Sequence, residues 1–207
     1  MPNISSNSPN HQENPMSVEI PTFPNKNVVS FTKVDMPYGW LGNMSSEFGS
    51  IKYEGETYKT GEHLFQCLRY PKDLELLDSS TGEMINVRDS IRDQKSPIGA
   101  KRKSGRTDFR EHRYIEKYSS DDLNLMLAVL RIKMEQARED KIRRKLIYMG
   151  LEAVIVEDTT DRGRKQDTFW GAVKIDDHTW KGFNHLGRLW MILKAEVIAA
   201  DKANKKA

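Results

Sequence analysis

The segment from Ser119 to Met134 constrains the fold more than any other part of the sequence. It begins with Ser119, a residue type that caps free N–H groups, and two acids follow at positions 121 and 122, where they favour the positive end of a helix dipole. Apolar side chains then recur at helical spacing, at Leu123, Met126, Leu127, Leu130 and Met134. The pattern predicts a helix with one apolar face, and it is the strongest helix signal in the chain.

The predicted strands are few and short. Val28–Phe31 and Glu152–Glu157 have the short, β-branched composition of strands. Ile51–Tyr53 and Thr57–Lys59 flank Gly55, which can supply the positive φ that a tight hairpin requires. We expect these strands to be mostly antiparallel.

Two more helices follow from capping and spacing. Thr60 is a suitable N-cap for a short helix that ends before Pro71, and Leu186–Ile198 returns to helical spacing. The regular alternation of strands and helices that builds a doubly wound sheet is missing. The sequence therefore predicts the α+β class, with one helix-rich domain and a few short strands.

The two ends of the chain differ from its middle. Residues 1–26 are rich in Asn, Ser and Pro without apolar periodicity, which predicts a disordered head. Residues 199–207 carry three lysines among small residues, which predicts a flexible basic tail. No repeat or linker interrupts the part between them, so residues 27–198 are expected to form one domain.

Composition excludes several classes of protein. The 33 Lys and Arg against 30 Asp and Glu leave a net charge of +3, too small to indicate a nucleic-acid binder by itself. A single cysteine cannot build a disulfide framework, and no apolar run approaches the ~20 residues of a membrane span. We expect a cytoplasmic protein without a membrane partner.

Two clusters combine turn residues with aromatic or acidic ones near the start of the domain. Pro37–Asn43 holds Trp40, which either plugs the core or stacks on a nucleobase. In Thr60–Gln66, Glu62 is either a partner of the helix dipole or, with Gln66 one turn later, a ligand-facing group.

Two further clusters lie in the last third of the chain. Acids follow the predicted strand at Glu157–Asp161, and Asp167 precedes Phe169 and Trp170, whose rings could desolvate its carboxyl group and raise its pKa. The loop Gly182–Gly187 leads into the last predicted helix, where free N–H groups favour phosphate.

Five motifs in one order form a recognisable pattern, namely Pro37–Asn43, Thr60–Gln66, Ser96–Lys101, Asp167–Gly171 and Asn184–Met191. They resemble the NADAR family, also called YbiA-like proteins, from about Val28 to Leu193. The resemblance implies an α+β fold linked to NAD and ADP-ribose metabolism. It also implies hydrolysis of N-glycosidic bonds, in phosphoribosylated pyrimidine intermediates of riboflavin synthesis or in ADP-ribose attached to guanine. The expected substrate is a ribosylated or ADP-ribosylated base or nucleotide, free or within a modified nucleic acid.

Carried over by position, the resemblance implies that Glu62 and Asp167 are catalytic. The residues it assigns to substrate binding are Trp40, Asn43, His63, Gln66, Arg69, Lys101, Trp170, Gly171 and Asn184. We expect no cofactor, and no metal site, because the histidines lack the paired spacing of zinc ligands.

Departures from the family pattern leave two functions open. Residues 162–166 look inserted, and residues 174–181 replace a glycine-rich run. Arg69 stands where many members carry a lysine, and a lysine can form a Schiff base with an opened ribose whereas a guanidinium cannot. The chain is therefore either an N-glycosidase or a non-hydrolytic binder of ADP-ribose or a related nucleotide. A third alternative is an interaction module with Trp40 and Trp180 at its surface.

Glycosidic chemistry requires two acidic roles. Breaking the C–N bond builds positive charge on the sugar, and Glu62 is the first choice to stabilise it. A second carboxyl group must protonate the departing nitrogen and deprotonate water. Asp167 is the candidate for this role, with Glu157 in reserve.

Overall fold

Helices are the main secondary structure of the protein. The computed structural model describes residues 19–205, apart from the side chains at positions 164 and 165. The helices are α1 (Gly61–Cys67), α2 (Val87–Arg92), α3 (Pro97–Ser104), α4 (Thr107–Arg110), α5 (Ser120–Glu135), α6 (Lys141–Met149) and α7 (His185–Asn204). Short 3-10 turns cover Gly39–Leu41, Arg138–Asp140 and Thr160–Lys165.

Helix α5 is the long helix that the sequence predicts. The Ser119 side chain accepts a hydrogen bond from the backbone N–H of Asp122, which caps the first turn. The buried residues Met126, Val129 and Leu130 form its apolar face, and α5 packs against both α1 and α7. This helix therefore connects the short helix α1 to the long C-terminal helix.

The strands form four small sheets in the described chain. The strands are β1 (Thr22–Pro24), β2 (Val28–Phe31), β3 (Ile51–Tyr53), β4 (Glu56–Tyr58), β5 (Glu75–Leu77), β6 (Met84–Asn86), β7 (Val154–Glu157), β8 (Val173–Lys174) and β9 (Thr179–Lys181). The orders are β1-β9-β8, β2-β7, β3-β4 and β5-β6. All pairs are antiparallel except β2 with β7. The α+β class and the β3-β4 hairpin are confirmed.

The parallel pair β2-β7 anchors the last helix. Its register places Phe31 opposite Glu157, so the carboxyl end of β7 lies beside the core. Helix α7 packs directly on β7. A side chain at Gly187 would collide with the carbonyl oxygen of Ile155, so only glycine allows this close approach.

Both predicted ends of the domain need correction. Strand β1 lies inside the predicted disordered head, and it is ordered because it pairs with β9 across more than 150 residues of sequence. Residues 1–18 of that head lie outside the described residues. Helix α7 continues to Asn204, well into the predicted flexible tail, since alanines favour a helix and Lys205 pairs with Asp201 one turn earlier. None of the helices in residues 19–205 is long and apolar enough to cross a membrane.

A buried lysine of α5 forms hydrogen bonds with the loop that precedes Asn43. The Nζ atom of Lys133 donates hydrogen bonds to the carbonyl oxygens of Trp40 (2.7 Å) and Gly42 (2.8 Å). Burial lowers the pKa of Lys133 to about 7, and Glu47 is the charge that opposes this shift. The folded protein therefore releases this proton more easily than the unfolded chain does.

We expect Lys133 to make stability depend on pH. Between pH 7 and about 10, the unfolded chain holds the Lys133 proton and the folded protein does not, so the free energy of unfolding rises with pH. From pH 7 to 9 it should rise by roughly 2 kcal/mol more in the parent than in Lys133→Met. Urea denaturation at several pH values measures this difference. The variant Lys202→Met, at an exposed lysine of α7, should follow the parent, and equal slopes for parent and Lys133→Met would contradict the expectation.

Candidate active site

Helix α1 carries Glu62 into the interior. The side chain of Thr60 caps the helix at the backbone N–H of His63, and the N–H of Glu62 donates to the carbonyl oxygen of Asn43 (2.9 Å). All seven residues of α1 are buried, and Glu62 is only 6% exposed. A helix this short is held by its packing rather than by its own propensity.

A chain of buried polar side chains links Glu62 to helix α5. Glu62 Oε1 accepts a hydrogen bond from Gln66 Nε2 (2.8 Å), and Gln66 Oε1 accepts one from Arg69 Nη1 (3.1 Å). Arg69 donates from Nε and Nη2 to the two carboxylate oxygens of Asp122, at 2.8 and 2.6 Å. Each link satisfies a buried group, so the chain fixes the orientation of the Glu62 carboxylate.

The Arg69 side chain is held by contacts within the protein interior. Its guanidinium is buried, forms a two-pronged ion pair with Asp122, and lies 4.2 Å from the centre of the Phe65 ring. These contacts leave it directed at the interior rather than at a ligand phosphate. Arg69 instead positions Gln66.

A turn that contains Asp167 packs against α1. Asp167 Oδ1 accepts hydrogen bonds from the backbone N–H groups of Phe169 (3.0 Å) and Trp170 (2.9 Å), which holds the turn in shape. The Trp170 ring meets Phe65 edge to face, with ring centres 5.7 Å apart. Phe65 is one helical turn from Glu62, so this contact brings α1 and the Asp167 turn together.

Glu157 reaches the same turn from strand β7. Its side chain is 13% exposed and pairs with Arg162 at 3.1 Å. Burial raises the pKa of Glu157, and the nearby Asp167 carboxylate raises it further, while Arg162 and Lys101 oppose the shift. Glu157 is therefore more easily kept protonated than an ordinary glutamate.

Asn184 and Gly171 hold the backbone around Glu157. Asn184 Nδ2 donates to the carbonyl oxygen of Ile155 (2.8 Å), and its Oδ1 accepts from the N–H of Glu157 (3.1 Å). A Cβ atom at position 171 would lie 2.5 Å from the carbonyl oxygen of Glu157. Both residues therefore act on the position of Glu157, and the side chain of Asn184 is directed at β7.

Three residues predicted to bind substrate make contacts within the protein interior. Trp40 is buried, with its ring edge to face against Phe48 and Trp190. The His63 ring bonds through Nδ1 to Thr60 and through Nε2 to the carbonyl oxygen of Gln94, and burial lowers its pKa. Asn43 Nδ2 donates to the sulfur of Met126, and its Oδ1, packed against Gly61, is buried without a hydrogen-bond partner among residues 19–205.

The surface predicted for an interaction module is not formed. Trp40 and Trp180 are both buried, and the Trp180 indole N–H donates to Asn25. Aromatic residues of this size supply large apolar area to a core, and both tryptophan side chains are buried in the interior.

Two residues near the site, Asp122 and Tyr118, are not predicted as site residues from the sequence. Asp122 was seen only as a helix-capping acid, and Tyr118, the residue before the Ser119 cap, gave no signal. The Tyr118 ring lies 4.4 Å from that of Phe169, and its backbone N–H donates to Asp122 (2.9 Å). The ring contact does not follow from local spacing, because it joins segments far apart in sequence, whereas the hydrogen bond to Asp122 is local.

The fold and the site define an α+β protein in which Glu157 and the buried helix of Glu62 lie beside the aromatic turn that contains Asp167. The family model described as the NADAR domain matches residues 30–198. N-glycosidase YbiA of Escherichia coli strain K12 is 31% identical over 175 residues, covering 84% of this chain and 91% of that protein. N-glycosidase YbiA of Shigella flexneri is 30% identical over the same length and coverage.

A solved structure agrees with these relatives. The NMR structure of the E. coli protein YbiA matches with a TM-score of 0.57 and 26% identity, covering 85% of this chain and 87% of that one. The chain belongs to the NADAR family, as its motifs predict.

Removing Asp122 should destabilise the whole domain. The Asp122→Ala variant leaves the Arg69 cation buried and unpaired, so we expect the free energy of unfolding to fall by about 3–5 kcal/mol. Chemical denaturation measures the loss. The exposed pair of Arg131 and Glu196 is the matched control, and Glu196→Ala should cost less than about 1 kcal/mol. Equal losses in the two variants would show that the buried pair has no special role.

Proposed function

We propose that this protein is an N-glycosidase that hydrolyses the C–N bond between a phosphate-bearing ribose and a nitrogenous base. The ribose belongs to phosphoribose or ADP-ribose, and the base is an aminopyrimidine or a guanine. Membership of the NADAR family and the relatives named N-glycosidase support the reaction class. The observation that carries the proposal is that two largely buried glutamates lie on elements that meet one aromatic turn. Glu62 lies on α1, whose Phe65 contacts Trp170, and Glu157 lies on β7 near Asp167.

Glu62 is suited to stabilise the positive charge of the transition state. Its Oε1 atom is held by Gln66, and its Oε2 atom accepts no hydrogen bond from residues 19–205. A fixed carboxylate needs no reorganisation when charge develops on the sugar, and low polarity around it strengthens the attraction. Glu62 therefore provides the electrostatic part of catalysis.

Glu157 is suited to transfer the proton. As a protonated acid it gives its proton to the departing base nitrogen, and as a carboxylate it then accepts a proton from the attacking water. The products are the free base and the sugar phosphate with a hydroxyl group at the anomeric carbon. Asp167, whose Oδ1 atom holds the turn, supports Glu157 by its negative charge and is assigned to positioning rather than to proton transfer.

Two cations near Glu157 are suited to attract the substrate phosphate. Lys101 is exposed on α3 and Arg162 is partly exposed, and both act electrostatically on Glu157. Phosphate binding by cations at the edge of the site keeps them outside the region where the sugar cation forms. ADP-ribosylated guanine within nucleic acid could approach the same cations.

A non-hydrolytic ADP-ribose binder is the second candidate function. It is favoured by Arg69, because a route through a Schiff base needs an amine at this position. The proposed route uses carboxyl groups and water, so it does not require an amine at position 69.

The activity assay separates these two functions. The purified protein, incubated with an ADP-ribosylated guanine nucleotide and with a phosphoribosylaminopyrimidine, should release the base from at least one. In Glu62→Gln turnover should fall by about 10²–10³-fold because one fixed charge is lost, with affinity nearly unchanged. The variant Glu139→Gln, at an exposed glutamate, should match the parent. Tight binding of both compounds by the parent without release of base would favour the binder.

The pH profile tests the proton donor. Activity should fall as the pH rises through the raised pKa of Glu157, because the acid form is then lost. Asp167→Asn retains an oxygen for the turn but removes a negative charge, so the midpoint of this fall should move to lower pH. Arg162→Gln removes a positive charge, so the midpoint should move to higher pH. Shifts in the same direction, or a Glu157→Gln variant with the parent profile, would exclude Glu157 as the donor.

A further inference from the structure

A row of aromatic rings leads from helix α1 to the surface. Phe65 contacts Trp170, Trp170 contacts Phe169 at 5.1 Å between ring centres, and Phe169 contacts Tyr118 at 4.4 Å. Phe65 and Trp170 are buried, Phe169 is half-buried, and Tyr118 is 42% exposed. Tyr118 is therefore the outer end of a continuous path of rings that starts one helical turn from Glu62.

The backbone holds Tyr118 in an unusual conformation. Its φ of 70° lies in the left-handed region, which residues with large side chains rarely occupy. The N–H of Tyr118 donates to Oδ2 of Asp122, the same carboxylate that binds Arg69. The network that orients Glu62 therefore also fixes the residue that carries this exposed ring.

The surroundings of the ring suit a planar aromatic ligand. One neighbour of the ring is Phe169, tilted by 43°, and the other is the ammonium group of Lys117, 4.2 Å from the ring centre. Lys117 is exposed, so its flexible side chain can leave the ring for solvent or for a phosphate at little cost. An aromatic heterocycle could then take its place against the ring.

We propose that Tyr118 is a specificity-determining residue whose ring stacks on the nitrogenous base that the enzyme releases. The proposal rests on the proposed function for its choice of ligand. It commits to the base attached to the anomeric carbon, because the row of rings connects Tyr118 with the turn that holds Trp170. The adenine at the far end of ADP-ribose has the same stacking chemistry, and the test separates the two sources.

The test compares ligands with and without a base. The probes are a phosphoribosylaminopyrimidine, which has a base at the anomeric carbon, ADP-ribose, which has only the distant adenine, and ribose 5-phosphate, which has neither. Calorimetry in a Glu62→Gln background measures affinity without turnover. Tyr118→Asn removes the ring and suits the left-handed backbone, since asparagine adopts this conformation readily.

Tyr118→Asn should weaken binding of the phosphoribosylaminopyrimidine by about 10- to 100-fold. Binding of ADP-ribose and of ribose 5-phosphate should stay within about twofold, and Tyr118→Phe, which keeps the ring, should match the parent for all three probes. With active enzyme, the loss should appear in KM rather than in kcat. The control Tyr148→Asn, at a tyrosine that is 95% exposed on α6, should change nothing.

Four results would overturn the assignment of Tyr118. They are unchanged binding in Tyr118→Asn, an equal loss for all three probes, a loss confined to ADP-ribose, and a failure of the Glu62→Gln protein to bind the phosphoribosylaminopyrimidine. The proposed function fails separately. If the parent binds the phosphoribosylaminopyrimidine through Tyr118 but releases no base, the stacking role stands and hydrolysis does not.

Discussion

The buried ion pair between Arg69 and Asp122 is the interaction on which the site depends. An unpaired charge at this depth is costly, so each partner requires the other to be in place. Arg69 follows helix α1 and Asp122 lies in the first turn of α5, so the pair joins the two helices. The same two side chains orient Glu62 through Gln66 and hold the backbone of Tyr118. The same ion pair therefore stabilises the packing of the two helices and fixes the geometry of the site.

Glu62 and Glu157 have the same side chain in different electrostatic surroundings. Glu62 lies at the start of a helix and accepts a hydrogen bond from the amide of Gln66. Glu157 lies at the end of a buried strand, where burial and Asp167 raise its pKa against the pull of Arg162. A difference of this kind lets two glutamates divide charge stabilisation and proton transfer between them.

The sequence predicts those parts of the structure that are decided locally. The caps at Thr60 and Ser119 and the turn at Gly55 depend on residues three or four positions apart, and all were found. The pairing of Arg69 with Asp122 joins positions 53 residues apart, so the spacing of residues in the sequence does not predict it. Glu157 could be ranked only in reserve, because its burial comes from the parallel alignment of β7 with β2. The alternatives for Trp40 likewise required knowledge of its neighbours Phe48 and Trp190.

The surroundings of Arg69 explain how an arginine at this position is compatible with the proposed hydrolysis. A lysine could not reproduce its contacts, because an ammonium group lacks the planar fork that binds both oxygens of Asp122 while a third N–H reaches Gln66. Lys133 and Lys194 have lowered pKa values, but both donate to backbone carbonyl groups, Lys133 in the loop before Asn43 and Lys194 before β7. Neither amine is directed at the Asp167 turn. Glu157 and Asp167 are the carboxyl groups near that turn, and the proposed route accordingly uses proton transfer and charge stabilisation with water as the nucleophile.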